Sequence, residues 1–101
     1  MPKKNPMQKE YFNLLAEALK SIGHPERIAI VDIICQNKER RMIVKKIYET
    51  LNMEQPIVSR HLGILKRSGI LERETEGINT FYRLSKNNKM AQQIYKCICE
   101  K

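Results

Sequence analysis

Residues 55–67, QPIVSRHLGILKR, carry the side chains best suited to chemistry. At about 100° per residue, a helix opening on Pro56 puts Val58, Leu62 and Leu65 on one face. Pro56, Ser59, Arg60, Gly63 and Arg67 fall on the opposite face. That outer face is basic and lacks bulky apolar groups, which suits the major groove of DNA. His61 lies toward the flank of the apolar stripe, so it divides between groove contact and packing. Elsewhere the reactive side chains are sparse. Cys35, Cys97 and Cys99 are odd in number and widely spaced, which does not make a disulfide framework. Cys97 and Cys99 would point about 200° apart on a helix and so cannot share one ion. His24 and His61 have no sequence-local partner. There is no nucleophile–base pair and no glycine-rich phosphate loop. The expectation is a chain that is not an enzyme and needs no cofactor.

The elements that position residues 55–67 can be read from punctuation and periodicity. The chain has 101 residues and is 42% hydrophobic, enough for one domain with a small core. Its net charge of +8, from 19 Lys and Arg against 11 Asp and Glu, favours a polyanionic partner, or serves solubility alone. The longest apolar stretch, Ile28–Cys35, is interrupted by Asp32 and falls well short of the ~18 residues of a membrane span. The N-terminus has no apolar core of a signal peptide, so no membrane and a cytoplasmic location are expected. Residues 1–9 read as a loose basic arm and 10–101 as the folded domain. Helices are expected over 10–22, from His24-Pro25-Glu26 to about Gln36, and over Val44–Leu51. The charged turn NKERR and a short β segment at Met42-Ile43 separate the last two. Residues 70–76 and 80–84 alternate as two strands joined at Gly77-Ile78-Asn79. Ser85 is expected to cap a last helix to about Glu100, with Met90, Ile94, Cys97 and Ile98 inward. This order, mainly α with a small β-hairpin, is a winged helix-turn-helix. In such folds the first helix of the motif crosses the phosphate backbone, which gives Lys45 and Lys46 phosphate to meet. Arg40 and Arg41 extend that basic cluster or simply solubilise a turn.

Residues 18–85 resemble the arsenical-resistance repressor (ArsR) family of bacterial transcription regulators. The phrases that match are ALKSIGHPERIAIVDII, LNMEQPIVSRHLGILKRSGIL and the wing end FYRLS. The resemblance implies a homodimer, joined through the first and last helices, that binds a double-stranded operator and represses transcription. It also implies a small inducer, often a metal ion. It places Gln55, Ser59 and Arg60 toward the major groove with Pro56 among them. Gln pairs with adenine and Arg with guanine there. For the dimer, Phe12, Leu15, Leu19, Met90, Ile94 and Ile98 exceed what one thin domain can cover. The wing departs from the family. It carries Glu72, Glu74 and Glu76, and only Asn79 at its tip suits a sugar or phosphate. That acidity also leaves room for a winged helix that binds protein instead of DNA. The inducer side departs further. Ile43 and Lys45 stand where one family metal site has cysteines, and the last helix offers no Asp, Glu or His before Glu100. No metal site is expected, and the inducer is unknown. Some family members link a cysteine of the second helix to one of the last helix. Cys35 with Cys97 or Cys99 permits that thiol sensor; otherwise the three are small apolar residues.

Overall fold

Proline sets where three of the helices begin. Residues 6–100 are described by a computed structural model. Helix α1 (Pro6–Ile22), α2 (Pro25–Gln36) and α4 (Gln55–Arg67) each carry Pro in the first turn, where a missing N–H costs nothing. Because Pro6 can start a helix, residues 6–9 are helical and not part of a loose arm. The remainder of the expected arm, residues 1–5, lies outside the described residues, as does residue 101. His24 caps α2: its Nδ1 accepts the Glu26 N–H at 3.1 Å. Glu26 adds an acid to the positive end of that helix.

The helix-turn-helix is formed by α3 (Val44–Leu51) and α4. Asn52 ends α3 in the left-handed conformation, φ 53°, which a short polar side chain tolerates. Gly69, φ 82°, turns the chain out of α4 into the wing. A Cβ there would collide with the side chain of Asn88. The wing comprises β2 (Leu71–Glu76) and β3 (Asn79–Leu84), and β1 (Arg41–Ile43) adds to its edge in the antiparallel order β1-β3-β2. The register sets Arg41 opposite Arg83, Glu72 opposite Arg83 and Glu74 opposite Phe81.

Helix α5 (Lys89–Cys99) starts later than expected; of its expected inward residues Ile94 is buried and Met90 and Ile98 pack against the core, while Cys97 is exposed. Asn88 is its cap, accepting the Ala91 N–H at 2.9 Å. Ser85 is drawn into the core instead. Its Oγ donates to the Gly69 carbonyl at 2.6 Å and its N–H to the Tyr95 hydroxyl at 2.7 Å. Tyr95 in turn donates to the Ile70 carbonyl. Burial pushes the Tyr95 phenol up to about 12. Satisfying that buried hydroxyl sets the helix phase, so Ala91, Ile94 and Tyr95 face inward while Cys97 is exposed. The core joins Ile30, Val31 and Ile34 of α2, Ile47 of α3, Val58, Leu62 and Leu65 of α4, and Ile70 and Leu71 at the wing base. Full burial of such side chains stabilises by about 1.5–3 kcal/mol each before entropy is counted.

Candidate nucleic-acid interface

Helix α4 has two faces with opposite fates. Val58, Leu62 and Leu65 are completely buried, so the rotation of the helix on the core is fixed. Gln55, Pro56, Ser59, Arg60 and Arg67 are all exposed. Gln55, Pro56, Ser59 and Arg60 occupy the N-terminal half, the part that reaches base edges in helix-turn-helix complexes. Arg67 lies at the C-terminal end, folded back so that its Nη1 is 3.4 Å from where a Cβ on Gly63 would stand. Lys45 and Lys46 are exposed in the first turn of α3.

His61 is not on this outer face. It is 6% exposed and lies between α4 and the start of α2. Its Nε2 is 3.1 Å from Glu26 Oε1, its Nδ1 is 3.2 Å from the Arg27 guanidinium, and its ring centroid is 4.8 Å from that of His24. Since guanidinium only donates, Nδ1 accepts from Arg27 and Nε2 carries the proton donated to Glu26. The groove-contact expectation for His61 is therefore replaced by a packing role. Sequence reasoning finds no partner for His24 and His61 because the partnership crosses from residue 26 to residue 61.

The wing's acidity is largely cancelled from inside. Arg41 bonds Glu74, reaches Glu76 at 2.7 Å and Glu39 at 3.2 Å, and lies 3.9 Å over the Phe81 ring. Arg83 reaches Glu74 at 3.1 Å. Hydrogen bonds from Arg83 and then Arg41 hold the Glu74 carboxyl below its usual range. The Glu76 carboxylate, ahead of its other partners, raises the Arg41 guanidinium further. Arg41 is thus committed to the wing and is not a free phosphate contact, and Phe81 is its platform. The support that an acidic wing lent to a protein-binding module is correspondingly reduced. Beyond the salt bridges the wing tip presents Ile78, fully exposed, next to exposed Asn79.

The expected dimer residues divide. Phe12 and Leu19 are exposed, and Leu15, Met90 and Ile98 are half-buried. Ile94 is 5% exposed and belongs to the protomer's own core, because α5 is turned by Tyr95. Leu14, 61% exposed, is a further open apolar residue of α1 but lies about 160° round the helix from Phe12. Helical spacing alone sets it beside the buried stripe, so periodicity does not single it out. Among the thiols, Cys35 and Cys99 form a disulfide with their Cα atoms 5.9 Å apart, and Cys97 stays free. This choice of Cys99 follows from the same rotation of α5.

Comparison with known proteins agrees with this architecture. Residues 24–73 match the family model described as bacterial regulatory protein, arsR family. An HTH-type transcriptional regulator of Methanocaldococcus jannaschii is 38% identical over 72% of this chain and 80% of its own length. The HTH-type transcriptional repressor SmtB of Mycobacterium tuberculosis is 36% identical over 79% of this chain, which spans only 57% of that relative. The crystal structure of the transcriptional repressor PagR of Bacillus anthracis superposes with a TM-score of 0.76 at 29% identity, covering 88% of this chain and 97% of PagR. With helix-turn-helix, wing and core all in place, the chain belongs to the arsR family of bacterial regulatory proteins, DNA-binding transcription regulators built on the winged helix-turn-helix.

Proposed function

We propose that the protein is a cytoplasmic homodimeric repressor that reads a double-stranded operator with α4. The observation that carries this is the division of α4: three apolar side chains are fully buried while Gln55, Ser59 and Arg60 stand exposed together. Gln55 and Arg60 read bases, Ser59 lets the helix approach, and Pro56 shapes its start. Lys45, Lys46 and Arg67 meet phosphates, and Asn79 touches the backbone from the wing. Exposed Phe12 and Leu19, with Leu15, Met90 and Ile98, form the dimer contact. Two copies then hold their recognition helices about one turn of DNA apart, or a small multiple of it. The test is a gel shift with DNA from upstream of the protein's own gene, alongside sedimentation. A dimer that prefers this DNA to random sequence is expected. A monomer at micromolar concentration, or equal binding to both DNAs, contradicts the proposal.

A second reading concerns release. The nearness of Cys35 to Cys99 favours a thiol switch between α2 and α5 over metal sensing at the family positions held by Ile43 and Lys45. Two thiols become one disulfide and pass two electrons to an oxidant such as a polysulfide, with two protons released. Because α5 belongs to the dimer contact, the link alters the spacing of the recognition helices. Operator affinity should change on polysulfide treatment of the wild type and stay constant in Cys35→Ser. The same change in Cys35→Ser would remove this reading. Zinc, cadmium and arsenite at stoichiometric concentration should leave DNA bound.

A further inference from the structure

We propose that His24, Glu26 and His61 form a site for a divalent ion of the zinc class, Zn²⁺, Co²⁺ or Ni²⁺, that clamps the recognition helix to the start of α2. The three side chains converge from two elements: one ligand atom from each lies within 4.8 Å of the other two. A tetrahedral ion with bonds of about 2.0–2.2 Å wants its ligand atoms about 3.4 Å apart. His61 Nε2 and Glu26 Oε1 already stand 3.1 Å apart. Among the ligands it is the half-buried His24 ring, tilted by 52° to that of His61, that has to move inward. Two imidazoles and one carboxylate are a borderline donor set that suits zinc, cobalt or nickel and gives soft ions no thiolate. The side chain of Glu26 is 44% exposed, which leaves water able to fill the remaining positions.

The hydrogen bonds around the site define what the ion must displace. His61 holds its proton on Nε2, so coordination there moves the proton from Nε2 to Nδ1 by way of solvent, with no net release. Nδ1 must then become the N–H, and the Arg27 guanidinium, a donor, has to leave it. Arg27 already has a buried Nε with no hydrogen-bond partner, so it is poorly held in place. His24 must leave the Glu26 N–H that it caps, or ligate with that same nitrogen. Arg27 and the positive end of α2 both oppose a cation, which sets a moderate affinity. The ligands join two helices of one protomer and none lies on α1 or α5, so the ion acts as a clamp on α4 and not on the dimer contact.

The test uses a Cys35→Ser/Cys97→Ser/Cys99→Ser protein, which removes competing thiols. Titration with Co²⁺ should give a visible absorption band that saturates at one ion per chain, and Zn²⁺ should displace it and raise the melting temperature. His61 is in the core, so the diagnostic changes are His24→Asn, which retains a capping side chain, and Glu26→Gln. Each should weaken Co²⁺ binding at least ten-fold with the far-ultraviolet spectrum unchanged. Arg27→Met should tighten it several-fold, because Nδ1 is freed. Absence of the cobalt band, or a band of unaltered affinity in both His24→Asn and Glu26→Gln, would overturn the site.

Discussion

Arg60 and Arg41 are the same residue type in two settings, the outer face of α4 and the root of the wing. Arg60 is exposed and has no ion-pair partner among the described residues. Arg41 bonds Glu39, Glu74 and Glu76 and covers Phe81. The net charge of +8 counts both alike, yet only the first is available to another molecule. The difference comes from secondary structure. On α4 the neighbours at three and four positions, Gly63 and Ile64 on one side and Ile57 and Pro56 on the other, carry no charge. In the sheet, the long side chain of Arg41 reaches over the intervening β3 to β2, which supplies carboxylates at alternate positions. Formal charge therefore overstates the wing's attraction for DNA, and its glutamates counted alone overstate the repulsion.

The comparison can be broken or sharpened from several sides. The largest effect belongs to the hidden face of α4: Leu62→Ala should cost about 2–5 kcal/mol of folding stability and remove DNA binding only by unfolding the protein. Chemical denaturation read beside a gel shift checks this. Next, Lys46→Ala should weaken operator and random DNA alike. It should also make the dependence of log affinity on log salt shallower by about 0.9 for each phosphate left without its lysine. A smaller effect is expected for Arg41→Ala. It frees Glu76 and takes away one of Glu74's two arginines, so affinity for every DNA should fall a few-fold through wing charge. Glu76→Gln in the same background should restore it. Anisotropy at two salt concentrations separates this charge effect from loss of a direct phosphate partner.

The smallest effect is acid titration of the wing. Because Arg83 and Arg41 lower the Glu74 value in the folded state, its ion pairs stabilise the wing above the ordinary carboxylate value of 4.5 and are lost as pH falls through the lowered one. Neither Glu74 nor Arg83 belongs to the core, so the loss is local. Resonances of Glu74 and Arg83 should shift below about pH 4 while those of Val58 and Leu65 stay put.

Local pattern makes α4 legible. The inward trio, the outward polar set and the glycine that ends the helix are all visible within residues 55–69. The helix-turn-helix and the hairpin are legible for the same reason. What local pattern does not carry is pairing across distance. Arg41 meets Glu74 and Glu76 at separations of 33 and 35 residues. His61 meets Glu26 at 35, and Cys35 meets Cys99 at 64. The apolar stripe of α5 places Ile94, Met90 and Ile98 inward but errs at Cys97, because the buried hydroxyl of Tyr95 brings Tyr95 and Ala91 into the core and leaves Cys97 outside. The start of α1 is obscured by Pro6, which suits a loose chain end and a helix's first turn equally well.

The most direct test measures Arg60→Ala and Arg41→Ala side by side on DNA from upstream of the gene and on random DNA of equal length. If the exposed face of α4 reads sequence, Arg60→Ala should lose about 1–3 kcal/mol on the specific site and much less on random DNA. Arg41→Ala should lose the same small factor on both. Equal losses on the two DNAs for Arg60→Ala, or a sequence-selective loss for Arg41→Ala, would contradict the assignment of reading to α4.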